Sequence, residues 1–281
     1  MHYPSWLKVK VPSLVHVQEM EALLRKSELN TICEKAKCPN LWECFSLKTA
    51  TFLILGNICT RNCKFCAVEP GYPEKINADE PEKIVKALEE LGLDYIVITS
   101  VTRDDLSDGG ARHFARCIKA VKDKLSTVCL EVLVPDFLGN DKSLMTILSA
   151  EPTVLNHNVE TVRRLYEVVR PEADYERSNG LLTRVKEIEP AILTKSGLML
   201  GLGETYDEIL STMQDIRAAN TDFLTLGQYL PPTVHHYPLA RYLKPEEFEY
   251  FEQVGLEMGF RGVASGPLVR SSYRAKSFLL K

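Results

Sequence analysis

No apolar run in this sequence is longer than a strand. The longest, such as Thr51-Phe52-Leu53-Ile54-Leu55 and Tyr95-Ile96-Val97-Ile98, fall far short of the ~20 residues that span a bilayer, so no membrane crossing is expected. Basic residues are not in excess either. With 34 Lys and Arg against 38 Asp and Glu, the net charge is -4, and the electrostatic footprint of a nucleic-acid binder is missing. Internal repeats, low-complexity tracts and long flexible linkers are absent. The opening stretch, Met1-His2-Tyr3-Pro4-Ser5-Trp6, has neither an apolar signal core nor an Arg-rich transit pattern, which sets cytoplasmic localisation as the expectation. A chain of 281 residues buries about 75% of the surface its unfolded form exposes, so its eight cysteines are not needed as disulfide staples.

What is present is an alternation. Six apolar, mostly β-branched runs of strand length lie at 50–56, 94–100, 127–134, 153–158, 194–201 and 222–226. Between them come stretches with helical spacing at 81–91, 110–124, 141–150, 159–168 with 175–188, and 204–219. Strand followed by helix, six times over, predicts an α/β fold with a parallel sheet, closed as a barrel or partial barrel. In such folds the chemistry gathers where strands end and loops begin. Residues 1–49 form a cap with a helix expected at 17–26. Residues 50–230 form the barrel, and 231–281 a C-terminal extension with a helix expected at 246–258 and a polar tail, Arg270-Ser271-Ser272-Tyr273-Arg274.

Six of the eight cysteines fall into two triplets. Cys117 and Cys129, within a predicted helix and strand, fit small buried hydrophobes. Cys59, Cys63 and Cys66 directly follow the first strand, and their spacings let three thiolates wrap one cubane cluster, leaving the fourth iron without a protein ligand. An open position of this kind can take a small molecule. Structural zinc would want a fourth ligand, and no histidine lies close in sequence, His16 and His113 being the nearest on either side. The arrangement resembles the radical S-adenosylmethionine (SAM) superfamily, including the aromatic Phe65 before the last cysteine. By that resemblance the open iron chelates the amino and carboxylate groups of S-adenosylmethionine. Cys33, Cys38 and Cys44 again offer three ligands, and zinc completed by a distant histidine would suit them as well as a cluster does.

Taken together, the segments point further. Cys33-Glu34-Lys35-Ala36-Lys37-Cys38-Pro39-Asn40, Ala50-Thr51-Phe52, Val97-Ile98-Thr99-Ser100-Val101 with Arg103-Asp104-Asp105-Leu106, Asn156-His157-Asn158, Lys195-Ser196-Gly197-Leu198-Met199, Gly201-Leu202-Gly203-Glu204-Thr205, Leu226-Gly227-Gln228-Tyr229-Leu230 and the Arg270-Ser271-Ser272-Tyr273 tail resemble, in this order, the lipoyl synthase family. That resemblance implies a radical SAM partial (βα)6 barrel and two [4Fe-4S] clusters. One, on Cys59, Cys63 and Cys66, cleaves S-adenosylmethionine. The other, an auxiliary cluster on Cys33, Cys38 and Cys44 with a tail serine, Ser272 in preference to Ser271, donates sulfur. The implied enzyme is a sulfurtransferase that inserts sulfur at C6 and C8 of an octanoyl group on a lysine of a lipoyl carrier domain. Its expected partners are the octanoylated carrier domains of 2-oxoacid dehydrogenase E2 or glycine cleavage H protein, and an electron donor such as ferredoxin or flavodoxin.

Several residues carry double readings. Gly201 and Glu204 suit a glycine-lined approach to S-adenosylmethionine or a tight turn with a helix cap; the full phosphate-loop patterns are absent. Asn156 and Asn158 alternate, so their side chains share a face, to bond cofactor or substrate or to cap a turn. Thr99 and Ser100 end the second strand, where the family resemblance implies backbone contacts to the methionyl amino group. Arg103, Asp104, Asp105 and Asp108 fit a solvated charged loop. His235-His236 reads as a loop feature that either meets the carrier protein or does not. Competing with the whole reading are a radical enzyme of biotin synthase-like or methylthio-transferring type and a non-catalytic electron carrier, which the six-unit barrel and the incomplete cysteine ligation disfavour.

Overall fold

The computed structural model describes residues 4–8 and 14–279. Met1, His2 and Tyr3, scanned above for a signal core, and the last two residues of the 231–281 extension lie outside the described residues. The chain divides into two compact units, one holding 14–61 and Ala67–Leu155, the other holding 4–8, Asn62–Cys66 and 156–279.

The first unit begins with α1 (Leu14–Lys26), which buries Val17, Met20 and Leu24 at helical spacing and packs on α3 (Leu41–Ser46). Between these helices lie β1 (Asn30–Thr31) and α2 (Ile32–Lys35). Next come β2 (Thr51–Ile54), β3 (Ile58–Cys59), β4 (Glu69–Pro70), α4 (Glu80–Leu91), β5 (Tyr95–Ser100), α5 (Ala111–Lys124), β6 (Cys129–Leu133), α6 (Asp141–Leu148) and β7 (Val154–Asn156), the last of which passes into the second unit. β2 is antiparallel to β1 and parallel to β5, with Thr51 opposite Val97, and β5 is parallel to β6, with Tyr95 opposite Cys129. Every residue of β2 is buried, as expected of a parallel strand covered on both faces, which is why it reads as one continuous apolar run. Helix ends carry their own signals. α4 starts with Glu80, Pro81 and Glu82 and stops at left-handed Gly92, while the Asn140 side chain accepts from the Lys142 and Ser143 amides at the head of α6.

The second unit holds α7 (Tyr166–Val169), α8 (Tyr175–Ile188), β8 (Leu193–Leu200), α9 (Tyr206–Ala218), β9 (Phe223–Gln228), α10 (Pro245–Glu257) and β10 (Gly262–Gly266). β8, β9 and β10 run parallel, Lys195 and Gly262 both lying opposite Phe223. Leu198, Leu200, Ile209, Met213, Leu224, Leu226, Phe248 and Phe251 make its main core. α9 is started by a capping box between Thr205 and Glu208. Two features differ from the sequence expectation. The helix expected over 159–168 is a 3-10 turn, Arg163–Leu165, running into the short α7. β10, Gly-Val-Ala-Ser-Gly, has too little apolar content to register as a strand and is made one by its parallel pairing with β9.

Gly227 in β9 shows how closely the tail lies on this sheet. A Cβ placed there would stand 2.1 Å from the Val269 carbonyl oxygen, a backbone atom that no rotamer change can move. Gly227→Ala is therefore expected to cost roughly 1–3 kcal/mol, as overpacking does. The urea midpoint of the variant measures it, and an unchanged midpoint would mean that the tail is not held against β9.

Candidate active site

The loop bearing the second cysteine triplet leaves β2 through two consecutive left-handed residues, Leu55 (φ 68°) and Gly56 (φ 97°). For leucine that conformation costs about 1–2 kcal/mol. Cys59 then lies in β3, and its sulfur accepts two backbone N–H groups, from Arg61 at 3.4 Å and from Thr102 at 3.3 Å. Thr60 is tied to the same segment, its amide and its hydroxyl both donating to the Thr102 carbonyl while its hydroxyl accepts the Asp104 amide at 3.0 Å. The cysteine is thus fixed by backbone pairing between 59–61 and 102–104.

Arg61, inside the motif, is 5% exposed. Its guanidinium forks onto Asp104 at 2.6 and 3.0 Å and reaches the buried Asp136 at 2.6 Å. Burial opposes its charge, but the bonds to the two carboxylates outweigh burial and hold the guanidinium firmly protonated. Arg103 is buried too, forked onto Asp105 and donating to the Leu55 carbonyl at 3.1 Å. Of the solvated charged loop expected at Arg103, Asp104, Asp105 and Asp108, Asp105 is indeed exposed, whereas Arg103 is buried and Asp104 and Asp108 are half-buried in pairs with Arg61 and Arg112. Alternation of sign within two residues lets Arg103 pair locally while Asp104 serves a distant arginine.

Cys63 and Cys66 belong to the second unit. Lys64 is held on both sides, its amide donating to the Val169 carbonyl at 2.9 Å and its carbonyl accepting from the Tyr237 amide at 2.8 Å. Phe65 packs against a small core of Val162, Leu165, Val169, Leu202 and Tyr229. His236 donates from Nε2 to the Cys66 carbonyl at 3.0 Å, and its Nδ1 accepts the Thr233 hydroxyl at 2.8 Å, which fixes its tautomer. The sequence shows only a His-His pair in a loop; its tie to Cys66, 170 residues away, has no local signal.

The first triplet lies wholly in the first unit. Cys33 opens α2 behind the Thr31 cap, Cys38 donates its amide to the Cys33 carbonyl at 3.0 Å, and the Cys44 amide, in α3, donates to the Asn40 carbonyl at 2.9 Å. Cys33 is buried, while Cys38 and Cys44 are half-buried. Burial, with the nearby Cys38 sulfur adding to it, pushes the Cys33 thiol up to about 11. A thiol so placed is a poor nucleophile until a metal takes its proton.

Asn156 and Asn158 do share a face, and what they hold is the tail. The Asn156 amide donates to Ser271 Oγ at 2.7 Å, and that hydroxyl donates to Asn158 Oδ1 at 2.9 Å. Asn158 in turn donates to Glu160 at 3.0 Å, whose carboxyl is held above its usual range by burial, against the pull of Arg170, Asn158 and Arg270. Glu204 turns its carboxylate onto its own loop, accepting the Gly201 amide at 2.5 Å and the Leu202 amide at 2.8 Å; burial raises its carboxyl, which those two amides oppose. Gly201 sits at φ 105° where a Cβ would meet Gln228 Nε2 at 2.3 Å. The Thr99 hydroxyl donates to the Leu133 carbonyl of the adjoining strand. Ser100 Oγ, at the end of β5, is buried with no partner among the described residues.

These residues fit the groups that the cysteine motif implies. None of the eight cysteines is in a disulfide, and amide N–H groups directed at a cysteine sulfur, as at Cys59, are of the kind that help set a cluster's potential. Among the described residues, no three Cys, His, Asp or Glu side chains converge as ligands of a single ion do. A cubane spaces its thiolates more widely, because each binds a different iron. The orphan hydroxyl of Ser100 at a strand's C-terminal end is suited to a polar cofactor. Among the described residues no helix is long and apolar enough to cross a membrane.

The family model described as the Radical SAM superfamily matches residues 53–216, more than half of the chain. The fold of solved structures agrees: Streptococcus suis SuiB bound to S-adenosylmethionine superposes with a TM-score of 0.59 at 12% identity over 89% of this chain and 60% of that one. HydG, a maturase of the [FeFe]-hydrogenase, gives 0.58 at 16% identity over 89% and 67%. The class is therefore that of radical SAM enzymes, built on a mostly parallel α/β partial barrel. Curated relatives narrow it. Lipoyl synthase of Caldanaerobacter subterraneus subsp. tengcongensis is 55% identical over 97% of this chain and 95% of its own length. Those of Hydrogenovibrio crunogenus and Aquifex aeolicus are 54% and 53% identical over 97% and 93% of this chain, and 87% and 95% of their own lengths. The chain belongs to the lipoyl synthase family, and as such is a radical SAM sulfurtransferase of lipoate biosynthesis, with S-adenosylmethionine and a [4Fe-4S] cluster as cofactors.

Removing Arg61 leaves Asp136, whose side chain is 1% exposed, as a buried carboxylate without its cation. Arg61→Ala is expected to lose about 3–5 kcal/mol of stability, read by chemical denaturation. A loss below about 1 kcal/mol would show that the network is solvated.

Proposed function

We propose that this enzyme inserts two sulfur atoms, at C6 and then C8, into an octanoyl group amide-linked to a lysine of a lipoyl carrier domain, consuming two molecules of S-adenosylmethionine per lipoyl group. The observation that carries this reading is the pair of cysteine triplets, six free thiols in a chain 55% identical to a lipoyl synthase over nearly its whole length. Acid–base catalysis contributes about 10²–10⁴-fold and does not open an unactivated methylene, so the chemistry has to come from a cofactor. When bound at Cys59, Cys63 and Cys66, a [4Fe-4S] cluster supplies the electron that cleaves S-adenosylmethionine to a carbon radical. A second [4Fe-4S] cluster, on Cys33, Cys38, Cys44 and Ser272, is the proposed source of sulfur.

The chain's own residues position and shield. The Arg61 and Thr102 amides orient the Cys59 sulfur, and His236 with Phe65 fixes the backbone at Cys66. Thr99 has its hydroxyl engaged with the neighbouring strand, so it is proposed to meet the cofactor through its backbone, beside the Ser100 hydroxyl. Gly201 and Glu204 form a closed turn that offers backbone rather than side chain to the cofactor. For the tail ligand the family resemblance favours Ser272, and Ser271, which accepts from Asn156 and donates to Asn158, ties the tail beside it, so the two asparagines are proposed to aim it. An alkoxide oxygen is a harder ligand than thiolate, which suits a cluster meant to be dismantled.

In this reading 1–49 is the cap bearing the auxiliary cluster, 50–230 the radical SAM barrel and 231–281 the extension with the Arg270-Ser271-Ser272-Tyr273 motif. Carrier domains of 2-oxoacid dehydrogenase E2 or glycine cleavage H protein are the proposed partners, with ferredoxin or flavodoxin as electron donor, in the cytoplasm.

The test is iron and sulfide content with electron paramagnetic resonance on anaerobically reconstituted protein. The Cys33→Ala/Cys38→Ala/Cys44→Ala variant is expected to drop from about eight irons to about four, keep reductive cleavage of S-adenosylmethionine and lose sulfur insertion. Ser272→Ala is expected to abolish sulfur insertion while Ser271→Ala only weakens it. Zinc in the first triplet, or unchanged iron, would refute the sulfur-donor assignment.

A further inference from the structure

We propose that Glu80, backed by His113, is a positioning residue for the cluster loop: it holds the left-handed turn at Leu55 from which Cys59 is presented. The proposal rests on reading Cys59 as a cluster ligand. Leu55 is a buried, non-glycine residue at φ 68°, followed by Gly56 at φ 97°. A leucine in that conformation relaxes to the right-handed or extended region unless its neighbours over-determine it. Here three elements do so. Its amide donates to Glu80 Oε2 at 3.0 Å, on the first turn of α4. Its carbonyl accepts from Arg103 at 3.1 Å, on the loop after β5. Its side chain lies over Gly110, where a Cβ would stand 2.3 Å from Leu55 Cδ1, so the residue before α5 has to be glycine for the leucine to fit.

Glu80 is an unlikely surface carboxylate to find buried, at 6% exposure, unless something holds it there. His113, 4% exposed, bonds from Nε2 to the same Oε2 at 2.7 Å. The Leu55 amide and the His113 ring thus converge on one carboxyl oxygen at the first turn of α4, where the helix N-terminus also favours an acidic side chain. The link to the chemistry is short. Thr102 gives its amide to Cys59 Sγ, and the next residue, Arg103, gives its side chain to the Leu55 carbonyl. One two-residue grip therefore spans the five-residue run from Leu55 to Cys59, and Glu80 holds the far side of the turn. If the turn relaxes, Cys59 moves against Thr102.

Hydrogen exchange on the full-length, anaerobically reconstituted protein tests this directly, alongside the rate at which a chelator removes iron from the Cys33→Ala/Cys38→Ala/Cys44→Ala background. In Glu80→Ala, amides of 55–60 are expected to exchange at least about ten-fold faster while β8 and β9 keep wild-type rates, and iron release is expected to quicken several-fold. Glu80→Gln, which keeps an acceptor oxygen but not the charge, falls between. Wild-type exchange at 55–60 in Glu80→Ala, or acceleration equal across the chain, overturns the proposal. Should Glu80→Ala fail to fold, Glu80→Gln and His113→Asn decide by the same reading, and unchanged exchange at 55–60 in both overturns it. A wild-type background that binds no iron counts against Cys59 as a ligand, and the exchange rates then judge the turn alone.

Discussion

Cys59, the proposed cluster ligand, lies in a stretch of chain that is neither helix nor long strand, and the bonding around Arg61 is what holds that stretch in place. The guanidinium carries a charge into a nearly dry interior and is compensated by two carboxylates from two different loops, those of Asp104 and Asp136. Removing Arg61 leaves Asp136 buried without its cation, and removing either aspartate takes away one of the two partners of the guanidinium, so the loops after β3, β5 and β6 are mutually dependent. The backbone bonds between 59–61 and 102–104 follow from this clamp, and so does the pair of amides on the Cys59 sulfur. Stability from such a network is modest in net terms; geometric definition is its return.

The second unit solves the same problem by different means. There the loop residues Lys64, Phe65 and Cys66 are held by two backbone bonds, an apolar anchor and an imidazole, with no buried ion pair at the loop. Apolar packing fixes Phe65 from one side while His236 fixes the carbonyl of Cys66. The two halves of the motif thus answer to different perturbations, Cys59 to loss of charge and Cys66 to loss of packing.

Much of this was legible in the sequence because it depends on local pattern. The six strand runs reappear as β2, β5, β6, β7, β8 and β9, shifted by at most two residues at their ends, and the long helices start at their caps, as α8 does at Asp174 and α9 at Thr205. The cysteine spacing pointed to the radical SAM superfamily, whose family model matches residues 53–216. What stayed hidden is what arises from pairing across long separations. β10 is polar enough to look like loop until β9 lies beside it. Glu80 reads as an ordinary first-turn acid in Asp79-Glu80-Pro81-Glu82, and nothing nearby reveals that it faces Leu55, 25 residues earlier. Arg103 and Asp104 look solvated because composition cannot say which charges find partners. Asn156 and Asn158 were correctly placed on one face, but their partner Ser271 lies more than 110 residues on.

That last separation bears on how the chain is made. A ribosome adds roughly 5–20 residues per second, so Ser271 follows Asn158 by on the order of ten seconds at that pace, the two being 113 residues apart. Throughout that interval both asparagines are synthesised and their latch is not. The tail is therefore among the last parts to settle, and a nascent chain carries all six clustered cysteines while the segment with Ser272 is still unmade. Under the proposed ligand set, the order of synthesis itself puts the cysteines first and the serine last.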